Sequence, residues 1–223
     1  MTAVDVIFPA LNEEAGLAKI LPGLPSGYRA IVVDNGSTDG TYAVALAHGA
    51  IVVSADQRGF GAACWAGLQA ATAPVVAFCD ADGSFATTEL PAVCDPVIAG
   101  IVDLMLGRRR ATKGSWPIHA RGANWYLSRM IRRRTGIALR DLGPMRAIRR
   151  DTLIGFGMTD RRSGWPLEMV LRASQKSLSI REVDVTYSPR LGKSKVTGTV
   201  RGTLTAVKDM ARIFREFESN QNG

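Results

Sequence analysis

Two aspartates one residue apart, Asp80 and Asp82, close the apolar run Val75-Val76-Ala77-Phe78-Cys79 and are followed at once by Gly83. Carboxylates are hard oxygen donors, and two at the end of a buried strand can face one divalent cation that also bridges diphosphate oxygens. Three earlier runs end in residues of similar promise. Phe8-Pro9-Ala10-Leu11-Asn12-Glu13-Glu14 closes the first, where the acids would also suit a helix start. Val33-Asp34-Asn35-Gly36-Ser37 closes the second; an acid at that tip often hydrogen-bonds a ribose or base. Gln57-Arg58-Gly59-Phe60-Gly61 follows the third, and glycines two apart before a helix let backbone approach a ligand. This is no dinucleotide fingerprint, because Cys64 stands where the third glycine belongs and the motif would follow the first strand.

Such residues need elements that deliver them to one edge. Runs 4–8, 30–33, 50–53, 75–79 and 102–106 are rich in Val and Ile and predict strands buried on both faces. Helices are predicted near 12–21, 40–48, 61–72 and 88–99. Strand–helix alternation at this spacing gives an α/β fold with a mostly parallel sheet, whose ligands bind at the carboxyl ends of the strands. Past Gly107 the texture changes. We expect a basic loop at 108–113, a helix at 117–135, a short strand at 144–148 and a helix at 166–173 with Pro166 in its first turn. A strand at 180–187, a Gly/Ser/Lys loop at 188–198 and a closing helix at 199–217 follow. The expected organisation is one domain over 1–223, with a donor half (1–107), an acceptor half (108–198) and a C-terminal helix and tail (199–223).

Charge is divided unevenly along the 223 residues. Residues 1–106 hold three Lys/Arg and 11 Asp/Glu, whereas 107–223 hold 25 and nine. The basic half is suited to an anionic ligand. A nucleic-acid reader would interleave aromatics or present a recognised module, and neither is visible, so no nucleic-acid partner is expected. Three cysteines without C-x-x-C spacing argue against a disulfide framework or zinc site and fit a reducing cytoplasm. No leader pattern opens the chain, and no window approaches the roughly 20 apolar residues of a membrane span. The segments 117–135 and 199–217 mix apolar residues with arginine, as surface-binding helices do, which offers peripheral contact with an anionic membrane face as one reading and packing of the apolar stripes on the core as the other.

Taken in order, FPALNEE, VVDNGSTDGT, RGFGAA and FCDADG resemble glycosyltransferase family 2, the inverting enzymes of the GT-A fold. LGRR, DLGPMRA, GWPLEM and RLGKSKV look like their counterparts in polyprenyl-phosphate sugar transferases such as dolichyl-phosphate mannose and glucose synthases, so the likeness covers nearly the whole chain. The resemblance implies transfer of a hexose from a UDP- or GDP-linked donor to an acceptor. It implies Pro9, Asn12 and Glu13 beside the nucleoside and Asp34 on its base or ribose. Arg58, Gly59, Gly61 and Arg108 would line the donor pocket, and Asp80 and Asp82 would hold Mg²⁺ or Mn²⁺ against the diphosphate. Arg146 would face the transferred or acceptor phosphate, Trp165 and Glu168 would border sugar and acceptor, and Arg190 and Lys195 would come from a mobile loop. Three departures stand out. Asp34-Asn35 replaces two acids, and Gly-Pro-Met-Arg replaces Gly-Phe-Arg. The Gln-x-x-Arg-Trp motif of processive synthases is missing, which argues against chain elongation. The Asp-Ala-Asp-Gly form is nearer the glucose-type lipid transferases.

Breaking a sugar–phosphate bond puts negative charge on the departing diphosphate, which a divalent ion and basic residues can stabilise. A hydroxyl acceptor needs a general base; a phosphate monoester is already an anion. The later half is rich in Arg and Lys and poor in acids, so a polyprenyl phosphate is the expected acceptor. The rival is a hydroxyl acceptor with Asp141 or Glu168 as base. A nucleotidylyltransferase would want a Gly-rich, Arg-bearing loop after the first strand, and a non-catalytic sugar-nucleotide binder would share the fold.

Overall fold

A computed structural model describes residues 2–192 and 200–219. Its centre is a seven-stranded sheet in the order β3-β2-β1-β4-β6-β5-β7. The strands are β1 (Val4–Ala10), β2 (Tyr28–Asp34), β3 (Ile51–Ser54), β4 (Val75–Phe78), β5 (Leu104–Ala111), β6 (Arg146–Arg149) and β7 (Ile180–Tyr187). Every neighbouring pair is parallel except the two made by β6, which runs against β4 and β5. Six carboxyl ends and the amino end of β6 therefore share one rim.

Alternation along the strands builds a core on each face. Ile7, Ile31, Val76, Phe78, Leu106 and Ile148 pack on one side with α3 (Phe60–Ala70), α5 (Ile118–Thr135), α7 (Trp165–Gln175) and α8 (Val200–Ser219). Val6, Phe8, Val32, Ala77, Met105 and Ala147 pack on the other with α1 (Glu14–Ile20) and α4 (Leu90–Ile98). The remaining helices are α2 (Thr41–Ala47) and α6 (Arg150–Ile154). Burying both faces demands the near-continuous apolar runs seen in the sequence.

Three expectations are corrected. The run at 50–53 is not buried on both faces: β3 is an edge strand, paired only with β2, and Ile51 is 38% exposed. The basic stretch at 108–113 is no loop in its first half, because β5 continues to Ala111 in register with β7, Arg108 facing Asp184 and Ala111 facing Tyr187. Asp184 pairs with both Arg108 and Arg110, two apart and thus on one face of the strand. The closing helix is also not free for a membrane along its described apolar face. Ile213, Phe214 and Phe217 are buried, while Arg212 pairs with Asp160 at 2.5 Å and Arg134 with Glu218 at 2.5 Å.

Candidate active site

The acid pair stands where β4 leaves the sheet. All four residues of β4 are buried, and Gly83, at φ 76°, turns the chain after Asp82. Helix α1 presses on this turn so closely that a Cβ on Gly16 would lie 2.1 Å from the Ala81 carbonyl oxygen. Lys19 adds a bond from Nζ to the Gly83 carbonyl at 2.8 Å. Asp82 is 5% exposed; its Oδ1 accepts from the Ser84 N–H at 3.0 Å and its Oδ2 meets the Arg190 guanidinium at 3.2 Å. Asp80 is half-buried. Desolvation and then the neighbouring Asp82 charge push its carboxyl pKa up to about 7, against the pull of Arg190 and Arg109. Two carboxylates so constrained favour a cation between them. Among the described residues no group of three or more His, Cys, Asp or Glu gathers. Two carboxylates are hard oxygen donors of the kind a divalent cation takes.

The tips of β1 and β2 are locked together. Asn35 N–H donates to the Ala10 carbonyl at 2.9 Å, continuing the ladder that pairs Ala10 with Asp34 and Pro9 with Val33. Asn12 takes a positive φ of 54° and exchanges bonds with the facing turn, its N–H to Ser37 Oγ at 2.9 Å and its Oδ1 from Thr38 N–H at 2.7 Å. Asn tolerates this left-handed geometry better than most side chains. Glu13 N–H donates to Thr41 Oγ1, and Asp34 Oδ1 accepts from Ser37 N–H. Pro9, Asn12, Glu13 and Asp34 are thus brought to one corner. Asn35 explains its own departure from a second acid: its Nδ2 donates to the Gly59 carbonyl at 3.0 Å, where a carboxylate would meet an acceptor with an acceptor.

Gly59 and Gly61 have a different use from the one expected. A Cβ on Gly59 would lie 2.2 Å from the Arg161 carbonyl oxygen, and one on Gly61 2.6 Å from that of Asp160. The first free N–H groups of α3 are taken by this same segment, Gly61 N–H by Arg162 at 2.8 Å and Ala62 N–H by Arg161 at 2.9 Å. The close approach is to the chain's own backbone, and that helix end is not open to a phosphate. Arg58 is exposed and leans over Gly36, beside the tip of β2.

On the opposite flank stands Arg109, a residue absent from the expected site. It alternates with Arg108 along β5, so its side chain turns to the face carrying Val185 and Tyr187. Asp141 grips it twice, Nε to Oδ2 at 2.9 Å and NH2 to Oδ1 at 2.7 Å, and Asp141 Oδ2 also accepts the Arg109 N–H. The guanidinium lies 3.9 Å from the Trp116 ring centroid and 5.6 Å from that of Tyr187. Burial works against its charge, but Asp141 and, more distantly, Asp80 hold its pKa above the usual value. Arg108 belongs on the other face, tied to Asp184, and so does not join the acids. The signal was in the sequence: period-two alternation in 104–111 separates Arg109 from its neighbours once that segment is recognised as strand.

Comparison with known proteins now decides the family. The model of glycosyl transferase family 2 matches residues 5–155. The chain belongs to that family. An uncharacterized glycosyltransferase of Mycobacterium tuberculosis is 46% identical over 214 residues, covering 95% of this chain and 98% of the relative. A polyprenol monophosphomannose synthase of Mycolicibacterium smegmatis is 32% identical, covering 87% and 81%. A dolichyl-phosphate hexose transferase of Haloferax volcanii is 29% identical, covering 86% and 85%. Glucosyl-3-phosphoglycerate synthase of M. tuberculosis, solved with Mn²⁺, UDP-glucose and phosphoglyceric acid, superposes with a TM-score of 0.76 at 23% identity, covering 97% and 79%. That likeness establishes the GT-A fold.

Three residues assigned to this glycosyltransferase's site from sequence are drawn inward instead. Arg146, at the start of β6, is 2% exposed and donates to the carbonyls of Pro166, at 2.8 Å, and Gly143. Burial lowers its pKa to about 10. Antiparallel pairing sets it opposite Phe78, on the face covered by α7, so it faces core rather than cleft. Trp165 is 1% exposed and stacks edgewise on Trp65 and tilted against Phe78. Glu168 is 4% exposed; its oxygens accept the N–H groups of Thr159, at 2.9 Å, and Asp160, at 2.8 Å, and pair with Arg172 at 3.0 Å. Its carboxylate fixes the 158–162 segment that docks on Gly59, which leaves no free oxygen to take a proton. Lys195 lies outside the described residues.

Proposed function

We propose that this glycosyltransferase moves a hexose from a UDP- or GDP-linked donor to a polyprenyl phosphate, inverting the anomeric centre in a single displacement. The observation that carries this reading is the commitment of both candidate bases. Asp141 is bound twice by Arg109, and Glu168 is spent on backbone N–H groups and Arg172. The charges of Arg190 and Arg109 act on Asp80, beside that of Glu13. A phosphate acceptor arrives ionised and asks for positive charge, not proton removal. The names of two relatives, a polyprenol monophosphomannose synthase and a dolichyl-phosphate hexose transferase, support the same acceptor class.

The residues divide the work accordingly. Pro9, Asn12, Glu13, Asp34 and Arg58 would receive the nucleoside at the joined tips of β1 and β2. Asp80 and Asp82 would hold Mg²⁺ or Mn²⁺, as the fold's solved neighbours bind Mg²⁺ or Mn²⁺ with UDP. A bound divalent ion neutralises charge on the diphosphate leaving group without a proton donor. Arg190, now seated on Asp82, is within reach to exchange that carboxylate for a phosphate oxygen, and Lys195 follows it on the same segment. Arg109, oriented by Asp141 and backed by the Trp116 ring, would bind the acceptor phosphate.

Incubating the enzyme with UDP- and GDP-hexoses, Mn²⁺ and a polyprenyl phosphate should yield a glycosylated lipid from one donor class. Efficient transfer to hydroxyl acceptors with none to the lipid phosphate would sink the reading and return Asp141 or Glu168 to the role of base.

A further inference from the structure

Helix α5 exposes the two most accessible large hydrophobic side chains among the described residues, Ile118 at 85% and Trp125 at 65%, with Tyr126 at 60% beside them. Arg129, Arg132 and Arg133 are exposed too, and the helix contains no acid. At 3.6 residues per turn these six side chains fall within an arc of about 120°. Leu127 and Ile131, on the opposite side, are buried in the core. Indole, phenol and guanidinium groups on one face, with no carboxylate among them, match the headgroup layer of an anionic bilayer. Aromatic rings settle at that depth, and each guanidinium meets a lipid phosphate. Along the described side chains of α8, by contrast, Ile213, Phe214 and Phe217 are buried.

The structure assigns α5 as an in-plane docking surface for an anionic phospholipid membrane. The inference rests on the reading that the acceptor is a lipid phosphate, and it adds how that acceptor is reached. Asn124 fastens α5 to the site: its Nδ2 donates to the Arg140 carbonyl at 3.1 Å and its Oδ1 accepts the Leu142 N–H at 3.1 Å. Between those two residues lies Asp141, which grips Arg109. Docking α5 therefore holds Arg109 at a fixed distance from the headgroups.

Flotation with vesicles of phosphatidylcholine, with and without phosphatidylglycerol, tests the proposal. The protein should float with the anionic vesicles only, less so as salt rises. Trp125→Ala/Tyr126→Ala should weaken binding at least about tenfold, and charge reversal at Arg129, Arg132 and Arg133 about fivefold per arginine removed. These variants should keep full transfer to a short-chain, water-soluble prenyl phosphate. If that soluble acceptor is not glycosylated by the unaltered enzyme, the acceptor assignment fails, whatever the vesicles show. Equal flotation with both vesicle types, or unchanged flotation of the Trp125→Ala/Tyr126→Ala variant, overturns the docking surface. A dimer abolished by that variant, with no vesicle binding, also overturns it and gives the face to a second copy of the chain.

Discussion

Replacing Asp80 or Asp82 by asparagine is expected to lower sugar transfer by at least about a thousandfold, with little change in fold, because it removes the charge that would hold a divalent ion and keeps the shape. In Asp82→Asn the amide oxygen would still accept the Ser84 N–H. Steady-state transfer with Mn²⁺, beside calorimetric titration of nucleotide, reads the effect directly; wild-type rates in either variant would remove the metal from the account. The same substitution at 80 should stabilise the metal-free protein. Folding raises the Asp80 pKa from 3.8 to about 7, so the native state keeps a proton that the unfolded chain has lost. Stability of the metal-free protein therefore falls as pH rises from about 4 through about 7. If the deprotonated pair binds Mn²⁺ as proposed, the rise in melting temperature the ion confers should grow between about pH 6 and about pH 8. Asp80→Asn should erase both trends. Activity and metal-free stability then move in opposite directions, the mark of a site whose strain serves binding.

The parts of the fold that sequence revealed are those governed by local pattern. Strands buried on both faces advertise themselves as Val/Ile runs, and the residues at their carboxyl ends had to meet on one rim because parallel strands share their direction. That logic puts Pro9, Asn12, Glu13, Asp34, Asp80 and Asp82 on one rim; the roles expected of Pro9, Asn12 and Glu13 came from the family resemblance. Long-range pairing was not legible. Nothing near Arg108 announces that Ile180–Tyr187 will pair with it, so a basic stretch read as loop, and the alternation that separates Arg109 from Arg108 went unseen. Arg146 was misplaced for a related reason: reversing one strand of an otherwise parallel sheet puts its first residue on the rim but its side chain under α7. Gly59 and Gly61 were read as sites of close approach to a ligand, and the approach is instead to the chain's own backbone. The partner was the segment that Glu168 holds, over a hundred residues away in sequence, and only the folded chain could name it.

Arg109 and Asp141 offer the sharpest separation of a base from a positioning carboxylate. Both side chains are sequestered, 17% and 2% exposed, so removing one partner strands the other. Arg109→Ala should cost about 3–5 kcal/mol in chemical denaturation, the usual penalty for leaving a buried charge unpaired. Asp141→Asn is milder, since the amide oxygen can keep one bond to the guanidinium and the donors around it stay partly satisfied. If Asp141 removes a proton from the acceptor, Asp141→Asn should abolish turnover and erase the acidic limb of the pH–rate profile, while Arg109→Lys leaves that limb in place. If Asp141 orients Arg109 toward a phosphate, the outcome differs. Asp141→Asn and Arg109→Lys should each reduce transfer about a hundredfold, and the double variant should be scarcely worse than either, because residues acting as one unit are not additive. The acidic limb would persist in both. A lysine would fail at 109 despite its charge, since it cannot reproduce the two parallel bonds to Asp141 or lie flat on Trp116. The same geometry that commits both Asp141 oxygens to Arg109 would make Arg109 a rigid phosphate anchor.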